Sequence, residues 1–215
     1  MSTREYHLGE LAIARSAGDS RRIMPPLPPG MRSILDLGCG AGQTLLSSNL
    51  ASNVVAFGLD IDEEALKLGR ELTKNIHFVK GSGERLPFDD QTFDVVISRV
   101  AIPYTEIPVA LKEIFRVLRP NGQIWLTLHS LTLLRQWMLQ AFRQGNLRAI
   151  AYHFYICLNS LLFHLNGRVF RYPLNRVRCE SVQTSRGMRQ AMKEAGFDRI
   201  EIENQEFFVA RGIKP

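Results

Sequence analysis

Apolar positions along the chain fall into short blocks whose spacing switches between two patterns. Residues 33–37, 53–59, 76–80, 93–97 and 123–128 are brief runs rich in Val, Ile, Leu and Phe, the length and composition of buried strands. Between them, 43–50, 62–72 and 109–118 carry apolar residues at helical spacing. The helix over 62–72 opens with Asp62, Glu63 and Glu64, where the helix dipole favours acids. The helix over 109–118 is stopped by Pro120-Asn121-Gly122. Strands and helices alternating at this pitch predict a parallel sheet covered on both faces. Ahead of the first strand, 3–17 has helical spacing (Tyr6, Leu8, Leu11, Ile13), followed by the stiff connector Pro25-Pro26-Leu27-Pro28-Pro29-Gly30.

After His129 the alternation stops. Residues 131–165 read as helices broken near Gly145-Asn146. The second places Leu147, Ile150, Ala151, Phe154, Leu158, Leu161, Leu162 and Leu165 on one stripe, with a weakly polar opposite face of Tyr152, His153, Ile156, Asn159, Phe163 and His164. Regular order returns with a helix over 182–195, Gly196 as its C′ residue, and final strands at 199–203 and 207–211.

Composition and charge refine this picture. At 215 residues, 45% hydrophobic and 22% charged, the chain suits one globular domain with an elaboration and is too apolar for a disordered one. Cys39, Cys157 and Cys179 give neither a disulfide framework nor a zinc-ligand pair, so no metal is expected. The first residues show no readable secretory signal, which makes a cytoplasmic setting the expectation. The net charge of +6 is localised. Residues 131–178 hold seven arginines (Arg135, Arg143, Arg148, Arg168, Arg171, Arg176, Arg178) and no Lys, Asp or Glu, leaving 20 bases against 21 acids elsewhere. That asymmetry points to a partner of that one segment: an anionic substrate, a membrane surface or RNA.

Asp36-Leu37-Gly38-Cys39-Gly40-Ala41-Gly42 lies between a strand and a helix, where an open α/β sheet binds its ligand. A dinucleotide turn needs G-x-G-x-x-G, but the third place falls on Gln43. The acid two residues before the first glycine would sit poorly beside a pyrophosphate and well beside an ammonium group. The ligand implied is a nucleoside carrying an amino acid.

Residues 34–44 resemble motif I of the class I S-adenosylmethionine (SAM)-dependent methyltransferases. Four further blocks follow in that family's order: Gly58–Asp62, Gly81–Phe88, Phe93–Ser98 and Leu111–Gly122. The last resembles the small-molecule, ubiquinone-biosynthesis-like branch. The resemblance implies a Rossmann-like mixed sheet of seven strands in the order 3-2-1-4-5-7-6, the last strand antiparallel, with a helical lid inserted after strand five. It divides the chain into a leading helix and connector (1–30), a SAM-binding core (31–130), a lid (131–178) and the rest of the core (179–215). It implies SAM as cofactor, contacted by Asp36, Gly38, Cys39, Gly40, Gly42, Asp60, Ile61, Ser82, Gly83, Glu84, Ser98, Arg99 and Tyr6. Asp60 matches the acid that takes the ribose hydroxyls. Ser82 stands where the family usually carries an Asp for adenine, which weakens that contact or shifts it to Glu84. Tyr6 and His7 would close over the cofactor.

The implied chemistry is attack by an acceptor nucleophile on a sulfonium methyl, in line with the departing sulfur, for which the protein aligns and desolvates the reactants. His129 is the first candidate base, with Tyr104 and Arg99 lining the same cleft; each could equally be structural. The run Ser98-Arg99-Val100-Ala101 is not the Asn/Asp-Pro-Pro-aromatic signature of nucleic-acid amino-methyltransferases, so nucleic acid is disfavoured. The aromatic, arginine-bearing lid suits a small apolar or aromatic acceptor, with an acidic group pairable to Arg168, Arg171 or Arg176. Residues 149–165 are too short and polar for a membrane span. As an interfacial element with flanking arginines they would suit a quinone or lipid-like substrate. The competing class is a SAM-fold protein that binds cofactor or partner without catalysis; a nicotinamide dehydrogenase is more distant.

Overall fold

The computed structural model describes residues 2–129, 131–175, 178–204 and 207–215, with only the backbone of Leu133. The leading helix α1 (Thr3–Arg15) is started by a reciprocal capping box, Ser2 with Glu5. The sheet then builds from β1 (Ser33–Leu37), β2 (Val55–Asp60), β3 (Ile76–Lys80), β4 (Phe93–Arg99) and β5 (Leu118–Leu128), with α2 (Gln43–Ser47), α3 (Glu63–Leu72) and α4 (Ile107–Val117) between them. The lid region supplies α5 (Leu131–Arg143) and α6 (Leu147–Asn166), and the chain ends with α7 (Ser185–Glu194), β6 (Asp198–Asn204) and β7 (Phe208–Ile213). Strand order is β3-β2-β1-β4-β5-β7-β6, with β1 to β5 parallel and β7 antiparallel to both neighbours, as the resemblance implied.

Two apolar layers hold the sheet. On one face Leu111, Ile114 and Val117 of α4 and Met188 and Met192 of α7 pack against Leu35, Val96 and Leu126. On the other, Leu45 and the connector residues Ile23, Leu27 and Met31 cover Ile34, Val95, Ile97 and Trp125. The proline-rich connector is thus part of the second layer. α1 lies on α2 and α3, tied at its start by an Arg4–Glu71 ion pair of 2.9 Å.

β5 and α7 depart from the expected spans for local reasons. β5 begins at Leu118 and runs through Pro120-Asn121-Gly122, because Asn121 adopts a φ of 63° and its N–H bonds Lys214 O at 2.7 Å, so the turn is absorbed as an irregularity of the strand. α7 begins only at Ser185, capped by Thr184. Residues 180–183 stay extended because Val182 N–H donates to Ser160 Oγ (2.8 Å) and Gln183 N–H to His129 O (3.2 Å). α6 keeps its expected span. Its apolar stripe faces outward: Leu147, Phe154, Leu158, Leu161 and Leu165 are all exposed, while Tyr155, Ile156, Asn159, Ser160 and Phe163 are buried.

Asn159 explains that orientation. Its side-chain amide donates to Glu180 O (2.8 Å), Phe170 O (3.2 Å) and Tyr155 Oη (3.2 Å), and its carbonyl accepts from Phe170 N–H (2.8 Å). Tyr155 Oη donates to Phe170 O at 2.8 Å, and Tyr152 Oη to Glu180 at 2.7 Å. The inward face of α6 thereby satisfies backbone groups of Phe170, Glu180 and Val182.

Candidate active site

The five parallel strands end at one edge, and the first glycine turn opens there between β1 and β4, the point at which strand order reverses. Gly38, Gly40 and Gly42 take φ values of 73°, 54° and 83°, conformations that L-residues adopt only with strain. Gly38 and Cys39 N–H groups both donate to Leu59 O, at 2.7 and 3.1 Å, locking the turn to β2. A Cβ on Gly38 would lie 2.1 Å from Ala101 Cβ. Gly38→Ala is therefore expected to cost about 2–4 kcal/mol from adverse φ and overpacking, read as a lowered urea midpoint at unchanged slope.

Asp36 is the most unusual group of the site. It is 1% exposed, and neither carboxylate oxygen has a hydrogen-bond partner among the described residues. Burial raises its pKa to about 7, the Arg99 cation opposing and the Asp60 anion adding to the rise. A desolvated carboxylate without donors is costly alone and strongly attractive to a cation. The amino-acid end of SAM carries an ammonium group, and Asp36 fits it.

Asp60 closes the turn from β2: one oxygen accepts Gly40 N–H at 2.7 Å and the other Asp62 N–H at 2.9 Å. Each oxygen keeps a second lone pair for a ribose hydroxyl. Ile61 beside it is exposed. Cys39 is buried with its sulfur against Gly58, and burial pushes its thiol well up, which suits a packing residue and not a nucleophile. Ser82 is exposed; its hydroxyl accepts Glu84 N–H at 3.2 Å and retains a donor and a lone pair. Gly83 is buried against Leu37.

Several expected contacts are engaged elsewhere. Glu84 accepts Glu106 N–H at 2.8 Å and pairs with Arg171, whose Nε also lies 3.4 Å from Glu106. Each Glu84 oxygen thus already accepts one bond and keeps a second lone pair, while Arg171, expected to serve an acidic acceptor, is paired with Glu84 and Glu106. Ser98 is 0% exposed and donates to Leu37 O at 2.8 Å, stapling β4 to β1 inside the sheet. Arg168 is exposed, and Arg176 lies outside the described residues.

α1 reaches the turn. The His7 ring stands over Gly40, within 2.7 Å of where a Cβ there would sit, and its Nδ1 is 2.7 Å from Gln43 Nε2. Glu10 binds Arg99 at 3.0 Å. Tyr6, half exposed, packs edge-on against His7, and partial burial raises its phenol pKa.

Beyond β5, His129 is 5% exposed with Nδ1 unpartnered among the described residues, and burial lowers its pKa to about 4. Its Nε2 is 3.5 Å from Tyr104 Oη, and its ring meets the rings of Tyr104 and Trp137 edge-to-face at 5.1 and 5.3 Å. Gln183 fixes it from behind, accepting His129 N–H at 3.2 Å and donating its own N–H to His129 O at 3.2 Å. Sequence reading missed Gln183, Glu180 and Asn159. The one signal for Gln183 and Glu180 is the Glu180-Ser-Val-Gln183 run; Asn159 stands out only as a polar residue on an apolar helix.

Comparison with known proteins supplies the family. A family model described as a methyltransferase domain matches residues 35–126. A ubiquinone/menaquinone biosynthesis C-methyltransferase of Pseudomonas entomophila is 31% identical over 204 residues, covering 86% of this chain and 75% of that protein. A demethylmenaquinone methyltransferase of Lactococcus lactis is 41% identical over 100 residues, which span 43% of this chain and 40% of the relative. A SAM-dependent methyltransferase of Thermotoga maritima shares the fold with a TM-score of 0.58 at 18% identity, over 99% of this chain and 91% of that one. The chain belongs to the class I SAM-dependent methyltransferases.

Proposed function

We propose that this methyltransferase acts on a small aromatic acceptor bearing a phenolic hydroxyl, of the reduced-quinone type. The observation that carries the reading is His129: a buried, uncharged imidazole beside the Tyr104 hydroxyl, walled by Trp137, at the sheet edge that holds Asp36 and the glycine turn. The relatives named as ubiquinone/menaquinone and demethylmenaquinone methyltransferases support the same class of acceptor.

Asp36 and Asp60 would hold SAM by its ammonium and ribose, and SAM when bound supplies an electrophilic methyl group. The chain's own groups do the rest. His129 with a pKa of about 4 keeps a free lone pair at neutral pH. It takes no proton from a resting phenol and accepts one only as bond formation acidifies the acceptor's hydroxyl. Burial raises Tyr104 to about 12, so it stays a neutral donor that orients the acceptor oxygen. Trp137 covers the His129 ring from the lid side.

His129→Gln is expected to lower kcat on a short-chain reduced quinone by about 100-fold, with the Kd for SAM unchanged by isothermal titration. Undiminished turnover would remove His129 from the chemistry.

A further inference from the structure

We infer that the outer face of α6 is a docking surface for an anionic phospholipid membrane, on which the helix lies flat. Leu147, Phe154, Leu158, Leu161 and Leu165 are all exposed on it, Leu147 at 78%, and Ala151 between them is exposed too. At 100° per residue these six fall within a sector of about 80°, extending for roughly 27 Å along the helix. No Asp, Glu, Lys or Arg interrupts that sector. Soluble helices turn such a stripe inward. Here the inward face is the one bearing Asn159, Ser160 and Tyr155, whose hydrogen bonds to 170–182 fix the rotation of the helix. The apolar face cannot turn in without breaking them.

Charge selects the occupant. Arg148 at the start of α6, Arg168 just past its end, and Arg135 and Arg143 on α5 are exposed and form no ion pair among the described residues. The segment 131–178 contains no acid to answer them. A second copy docked through the same face would bring this acid-free surface onto itself, arginine against arginine, with nothing to neutralise it. Anionic lipid headgroups neutralise the arginines while acyl chains receive the leucines. α5 extends the patch with Leu139 and Phe142, both exposed. Among the described residues no helix is long and apolar enough to cross a membrane, and α6 has its other face packed on the protein, so contact is at the interface.

The test is co-sedimentation of the full chain with vesicles, read without turnover, so that it holds or fails independently of the proposed acceptor. Vesicles of phosphatidylcholine with phosphatidylglycerol are expected to bind the protein, and phosphatidylcholine alone far less, with binding falling as salt rises. Leu158→Glu with Leu161→Glu should weaken binding at least about tenfold at an unchanged circular dichroism spectrum. Arg148→Gln with Arg168→Gln, which leaves the apolar face intact, should weaken it about tenfold. Absence of binding, equal binding to neutral vesicles, or binding indifferent to both variants would overturn the inference. So would a dimer in light scattering that Leu158→Glu dissociates, since a second copy would then own the face.

Discussion

Asp36→Asn is expected to make the ligand-free protein more stable and nearly unable to bind SAM. The native carboxylate has a pKa of about 7 because it is buried without donors, against about 3.9 in an unfolded chain. The folded state therefore binds the extra proton between those values. Stability is lost as pH rises through that window, and the full penalty stands above pH 7, at about 2–4 kcal/mol. An amide removes the charge and keeps a smaller cost for its own unpaired groups, so the net gain at pH 8 is about 1–3 kcal/mol. The gain should shrink on acidification and vanish below about pH 4.

His129 runs the other way. Its folded pKa of about 4 lies below the unfolded 6.5, so its contribution is complete above pH 6.5 and is lost as pH falls toward 4. The two groups partly offset each other in the wild type. Asp36→Asn leaves His129 unopposed, and the variant should show a steeper loss of melting temperature between pH 6.5 and 4. Affinity for SAM should fall by about 3 kcal/mol, more than a hundredfold, with the loss of a desolvated ion pair. Thermal melts across pH and isothermal titration read the two effects separately. An unchanged SAM affinity would take Asp36 out of the site, whatever the melts showed.

Asn159→Ala should break the lid while sparing the cofactor half of the site. The amide is 0% exposed and joins α6 to both 170 and 180. Its removal leaves the part-buried Phe170 N–H and the buried Glu180 O without that partner, a cost of about 2–4 kcal/mol. The cost falls on the 168–184 segment, so hydrogen exchange there should accelerate far more than in β1 to β4. Because that segment carries Gln183, which holds His129, kcat should fall at least about tenfold. SAM binding should stay within a few-fold of wild type. Uniformly faster exchange across the sheet would show that the lid and core open as one unit instead.

The contrast between these two residues marks what the sequence discloses. The sheet is legible because five short apolar runs alternate with helical spacing, and periodicity with length decides between strand and helix. The glycine turn is legible because only glycine tolerates three positive φ values in five residues, and Asp36 because an acid at the end of a buried strand has few other uses. The lid is not legible in this way. The stripe on α6 tells that two faces differ; which one turns inward depends on hydrogen bonds of Asn159 and Ser160 with Phe170, Glu180 and Val182, distant partners that the residue pattern does not disclose. Gln183 is hidden for the same reason. Its role exists only once 180–183 is extended, and tertiary partners, not local propensity, extend it. Glu84 shows the converse: a motif singles it out, yet its pairing with a distant arginine is visible only in the fold.

That clasp between Glu84 and Arg171 fastens the loop after β3 to the segment following α6, so shortening either side chain releases both strands of backbone at once.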